Sequence, residues 1–134
     1  MAGVLPATVL SKDQLKVTVE DIKRRNGTGK WGERVVVADK WSITVIHQPP
    51  GTPNDTHYHH EDETWFIYQG ELTWQFEHHP EPVHVKAGDI IFAPKDLWHH
   101  IEPIGTETTI RIACTPTGEF HRYDRPGCKP LPQP

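Results

Sequence analysis

Residues 33–114 form a succession of short β-rich runs separated by glycine and proline: 33–38, 41–48, 56–59, 64–68, 71–77, 83–85, 90–92, 98–102 and 108–114. Many short strands bounded by turn residues point to an all-β barrel or sandwich. Asp39-Lys40 suits a hairpin between the first two runs, and Pro49-Pro50-Gly51 forces a break after the second. Gly70-Glu71 and residues 78–82 make short connections further on, leaving little room for an inserted lid.

The densest chemistry lies in residues 51–63, followed some way downstream by residues 88–99. On an extended chain residues i and i+2 share a face, so His57 and His59 aim at a common side while Tyr58 points the other way. A turn through His60, Glu61 and Asp62 lets Glu63 open the next strand toward that same side, and His99 arrives from a distant strand. Such imidazoles and a carboxylate suit a divalent transition metal, whether Fe, Mn, Ni, Co, Cu or Zn. The ligand set is that of a reactive site rather than a closed structural one. The expected metal ligands are therefore His57, His59, Glu63 and His99, with Glu63 also the principal candidate for a catalytic base. His60 and His100 face elsewhere by parity. His78 and His79 lie in a proline-containing connection and are expected in solvent.

Gly51, His57, His59, Glu63 and Gly70 stand at the spacing glycine, five residues, His-x-His, three residues, glutamate, six residues, glycine. This resembles the first motif of the cupins. Gly88, Pro94 and His99 occupy the main positions of the second motif, with Asp96 where the family usually has glycine and Pro103 where it usually has asparagine. Asp tolerates left-handed backbone better than most residues, so the turn before His99 can still form. The resemblance covers about residues 35–115. It implies a double-stranded β-helix barrel, with the metal held by the residues named above, and homodimerisation.

At 134 residues with a net charge of −4, the chain fits one domain and carries no basic stripe of the kind nucleic acid requires. Three parts are expected: an N-terminal arm with a short helix over 1–32, the barrel over 33–115, and a proline-rich tail over 116–134 that wraps the surface or frays. Residues 1–10 are apolar but broken by Pro6 and too short to span a bilayer, and read as an arm or edge strand. Ser11 to Gln14 resembles a capping box, yet the residues after it alternate like a strand. Thr18 caps a helix over 19–25 that Asn26-Gly27 ends. Cys114 and Cys128 show no close spacing, which suits reduced thiols and a cytoplasmic setting.

Trp65 and Ile67 share the parity of Glu63 and are expected to line the cavity, with Phe66 and Tyr68 outward, where they suit a dimer contact. One set of Leu72, Trp74, Phe76 or Thr73, Gln75, Glu77 must face inward, and an inward Gln75 could hydrogen-bond a bound oxygen. Arg34 and Arg111 lie on strands; either could clamp a substrate carboxylate, with surface placement the expectation for both. Together these readings favour a metal-dependent enzyme for a small phenolic, enolisable or acidic substrate, most simply an Fe(II) dioxygenase. A non-redox lyase, isomerase or cyclase at Zn, Ni or Mn, or a metal-dependent binding module, are the alternatives. Trp65, with Trp74 or Trp98, tilts the reading toward an aromatic or polyketide-like substrate.

Overall fold

The computed structural model describes residues 9–132. In chain order its elements are α1 (Val19–Asn26), β1 (Trp31–Val37), β2 (Trp41–Gln48), β3 (Thr56–His57), β4 (Glu63–Gln69), β5 (Glu71–Phe76), β6 (His79–Lys86), β7 (Ile90–Ala93), β8 (His99–Ile104) and β9 (Thr109–Pro116).

Helix α1 forms as predicted. Thr18 Oγ1 accepts the Asp21 N–H at 3.0 Å, acids fill the first turn and bases the last, so both ends complement the helix dipole. Ile22 packs with Val35, Val45 and Ile110, which holds the helix against β1, β2 and β9. The conflicting signals upstream resolve into a turn in which Ser11 and Gln14 exchange backbone hydrogen bonds of 3.0 and 3.2 Å. Most of the arm expected over residues 1–10 lies outside the described residues; Leu10 N–H donates to Val35 O at 2.8 Å beside β1.

The strands form a five-stranded sheet in the order β1-β2-β9-β4-β7 and a four-stranded sheet in the order β3-β8-β5-β6. Every pair is antiparallel. This is the expected double-stranded β-helix. Trp65, Ile67, Ile91, Ala93 and Ala113 from the first sheet meet Leu72, Trp74, Phe76, Val85 and Ile101 from the second. Burial of large apolar side chains decides the parity of β5, because each stabilises the fold by about 1.5–3 kcal/mol relative to exposure. Leu72, Trp74 and Phe76 therefore take the inside, and Thr73 and Gln75 the outside.

Strand β6 is longer than the sequence suggests, since residues 79–82 join it despite Pro80 and Pro82. It lies at the edge of its sheet, where a missing N–H costs no ladder bond. At the turn before β8, Asp96 adopts φ 66, the one non-glycine residue with positive φ among those described. Its backbone N–H donates to His59 O at 2.8 Å and its carboxylate meets His60 Nδ1 at 2.7 Å, so the aspartate both fits the turn and fastens it to the His59 segment. No helix among the described residues is long and apolar enough to cross a membrane.

Gly70 joins β4 to β5 at φ 83, and a Cβ there would lie 2.8 Å from Thr109 Cγ2 and 3.1 Å from Thr109 Cα. Gly70→Ala is expected to lose about 1–3 kcal/mol of stability, from positive-φ strain and the clash with β9. Urea unfolding checks this, and an unchanged midpoint would contradict the packing described.

Candidate metal centre

β3 pairs with β8 so that His57 lies opposite His99. His59 follows on the same face, and Glu63 opens β4 in the facing sheet. All four side chains are largely buried, at 5%, 1%, 2% and 9% exposure for His57, His99, His59 and Glu63. One ligand atom from each lies within 4.8 Å of every other. Glu63 Oε1 is 2.9 Å from His59 Nε2 and 3.9 Å from His99 Nε2. His57 and His99 meet edge to face with ring centroids 4.5 Å apart.

The polar atoms left over decide whether an ion fits. His57 Nε2 and both ring nitrogens of His99 are buried without a hydrogen-bond partner. A buried unsatisfied polar atom costs about 1–3 kcal/mol. A shared cation would satisfy the inward-facing atoms together. The outer nitrogens of the other rings are already oriented: His57 Nδ1 meets Asp55 Oδ1 at 2.8 Å, and His59 Nδ1 meets Glu61 O at 2.7 Å. Such partners fix the tautomer and turn Nε2 toward a metal. The residues present thus fit a divalent transition metal, and His57, His59, Glu63 and His99 would hold it.

Protonation agrees with this arrangement. Burial, then the neighbouring His57 and His59, push the His99 proton affinity well down. Burial also lowers that of His57, against the opposing bond from Asp55. Both rings are therefore held in the neutral, ligand-ready form. His59 shifts the other way: burial lowers its proton affinity, but the Glu63 hydrogen bond and charge outweigh it. A proton at His59 Nε2 and a metal ion compete for the same position.

The tail is built into this centre. It pairs back on the β3 segment through Thr56 with Lys129 and Tyr58 with Arg122. Arg125 donates to Asp96 O at 2.7 Å and to Glu77 Oε2 at 2.6 Å, and Gly127 lies against the Trp98 indole. His121 is thereby stacked on His57, with centroids 3.5 Å apart and planes within 8°. Asp55 Oδ2 accepts from Tyr123 OH at 2.5 Å and meets His121 Nδ1 at 2.8 Å. Burial alone would raise the Asp55 proton affinity, but the bonds from His121 and His57 hold its carboxyl far below the usual carboxylate range. Glu119 brings a buried, unpartnered Oε1 to 3.7 Å from His59 Nε2. Burial, then the Glu63 charge, raise its proton affinity. Asp55, His57 and His121 also form a second cluster of ligand-type atoms, but it shares His57 and forms the outer layer of the same centre.

Asp55, Glu119, His121 and Tyr123 join the site without being expected from the sequence. The available signal was Glu119-x-His121, which places an acid and an imidazole on one face of an extended segment. Trp65 and Ile67 are buried, and the Trp65 ring lies 5.4 Å from that of His99. Gln75 is corrected: it turns away from the interior and donates to His79 O at 3.2 Å, because Trp74 and Phe76 claim the inside of β5. The surface placement expected for Arg111 is corrected as well, since it is buried with Ala113 on the inner face of β9; Arg34 is exposed. His60 pairs with Asp96, and His100 with Glu102. His78 and His79 are exposed. Trp98 packs under the tail at Gly127.

The Cupin domain family matches residues 44–116, more than half of the chain. The chain belongs to the cupin family. Its structure resembles an RmlC-like cupin family protein with a double-stranded β-helix fold from Methanocaldococcus jannaschii, at 25% identity and TM-score 0.61 over 69% of this chain and 84% of that one. It also resembles a conserved protein with a double-stranded β-helix domain from Klebsiella pneumoniae, at 23% identity and TM-score 0.67 over 84% and 93% of the two chains. KdgF from Halomonas sp. matches at 17% identity and TM-score 0.57, over 68% of this chain and 82% of that one, a likeness of fold alone. No curated protein matches the sequence.

About one transition metal per chain is expected by elemental analysis, largely lost in His57→Ala and His99→Ala. Because metal binding requires neutral histidines, acidification should release the metal, with protonation of His59, whose proton affinity is raised, the first competitor; a flat profile from about pH 7 to pH 4 would contradict histidine ligation. The Asp55 shift also predicts a stability effect. A depressed folded-state value means that the charged form stabilises the fold above the unfolded value of about 4, and that this is lost as pH falls further. In apo protein, Asp55→Asn should cost about 2 kcal/mol near neutrality. The gap from wild type should narrow below about pH 4; a constant gap across the acid range would refute the assignment.

Proposed function

Because the chain is a cupin, we propose that it is a metal-dependent enzyme acting on a small phenolic, enolisable or acidic substrate at His57, His59, Glu63 and His99. The observation that carries this is the convergence of those four ligand atoms with buried, unpartnered imidazole nitrogens. A divalent transition metal held there would supply Lewis acidity toward a substrate oxygen and, as iron(II), the redox capacity for dioxygenation, the chemistry we favour.

The chain's own groups divide the remaining work. Asp55 orients His57, and Glu61 O orients His59. Trp65 and Phe76, both beside His99, keep water from the inner wall and suit a flat, apolar substrate body. Glu119 is the carboxyl group beside the ligands that is best able to hold a proton at Oε1. That group favours a second reading, isomerisation, cyclisation or elimination at Zn, Ni or Mn, and weighs against a binding module with no proton acceptor. The free Cys114 and Cys128 accord with a cytoplasmic setting in this proposal.

Homodimerisation belongs to the same reading. Phe66, Tyr68, Ile90 and Phe92 are exposed on the outer face of β4 and β7, and β7 is a sheet edge. Apolar edges of this kind are commonly covered by pairing. Sedimentation should give a dimer that Phe66→Glu with Phe92→Glu dissociates; a monomeric wild type would refute the pairing.

Purification without air, measurement of all first-row metals together and oxygen uptake on a panel of phenols and enolisable acids test the activity. Iron with substrate-dependent oxygen uptake is expected. Zinc, nickel or manganese with turnover but no uptake would replace the dioxygenase reading with the second one. Ligands recovered unchanged after long incubation would overturn enzymatic function.

A further inference from the structure

Arg111 is a cation that the metal centre does not explain. It lies on the inner face of β9, opposite Ile67 of β4 and Ile46 of β2, and is 5% exposed. A guanidinium has five N–H donors and remains charged, so a buried arginine is ordinarily saturated by carboxylates and carbonyls. Among the described residues Arg111 makes one hydrogen bond, from Nη1 to Gln48 Oε1 at 2.8 Å, and its buried Nε has no partner. No carboxylate among the described residues lies within ion-pair distance of it.

Its one acceptor is itself held in place. Gln48 Oε1 also accepts from Asn54 Nδ2 at 2.9 Å, and Gln48 Nε2 donates to Thr52 O at 3.1 Å. The guanidinium is therefore oriented from one side by a neutral amide, with donors left over. Burial lowers its pKa to about 10, against the pull of Glu63 and Asp55. Lys30 is exposed and engaged elsewhere, its Nζ donating to Pro53 O at 2.5 Å.

The charges can be balanced group by group. Arg111 offsets one of the two carboxylates Glu63 and Asp55. A divalent ion among the ligands would add two positive charges, which an ionised Glu119 would balance and a protonated one would leave in excess by one. Whichever form Glu119 takes, the unpartnered Nε donor belongs to the side chain best shaped for a planar oxyanion.

We propose that Arg111 is a specificity-determining residue that receives the carboxylate of an organic acid substrate. This rests on the reading of the site as one for small organic molecules and narrows it to those that carry a carboxylate.

The test uses acetate, benzoate and 2-hydroxybenzoate as probes, each beside its amide, with inorganic phosphate as a further anion. Binding is measured by calorimetry on zinc-loaded and apo wild type, Arg111→Gln and Arg111→Lys. At least one carboxylate should bind wild type at least about tenfold more tightly than its amide, and Arg111→Gln should abolish that preference while Arg111→Lys keeps part of it. Metal content at the histidine site should remain as in wild type. Should Arg111→Gln fail to fold, the acid-against-amide comparison on apo wild type and apo Arg111→Lys, where no metal can take the acid, decides. Equal binding of acid and amide, no saturable binding of any carboxylate, an acid preference that survives in Arg111→Gln, or tighter binding of phosphate would each overturn the proposal. Arg111-dependent acid binding in a protein that takes no metal would leave this inference standing and remove the metal-enzyme reading; metal binding without acid preference would do the reverse.

Discussion

The pairing of β3 with β8, which sets His57 opposite His99, is the constraint on which the rest depends. β3 is only two residues long and could not hold this register unaided, because so short a ladder offers little cooperative hydrogen bonding. Two neighbours stabilise it. The Asp96 turn bonds His59 O from one side, and the tail pairs with Thr56 and Tyr58 on the other. The metal-facing nitrogens thus stay buried and close together because the turn and the tail clamp their segment against the barrel.

That clamp changes the meaning of the C-terminal region. A proline-rich segment of low apolar content ordinarily reads as solvated surface. Here it supplies Glu119 beside His59, His121 on His57 and Tyr123 on Asp55. The site therefore has an inner wall of Trp65 and Phe76, a ligand layer, and an outer layer contributed by the tail. Arg111 on the inner face of β9 and Glu119 on the tail thus contribute a cation and a proton-holding carboxyl group from different elements of the fold.

Much of this was legible in the residues. Strand parity placed His57 and His59 on one face and removed His60 and His100. The motif spacing identified the fold, and the Thr18 cap, Glu20, Asp21 and Gly27 marked out α1 within a residue. The failures share a cause. Gln75 and the inward set on β5 could not be assigned from alternation alone, because both parities were self-consistent until Trp74 met Trp65 across the barrel. Arg111 was expected at the surface because nothing local reveals that a distant Gln48 will orient it. Asp55, Glu119 and His121 were missed because pairing across some 66 residues leaves no local period.

The central claim is that one ion sits among His57, His59, Glu63 and His99. Anomalous diffraction at the edge of the metal found in the purified protein tests it most directly. The account predicts one peak per chain bounded by the Nε2 atoms of the three histidines and the Glu63 carboxylate. A peak at Asp55 and His121 instead, or none among the four ligands in metal-replete protein, would contradict it.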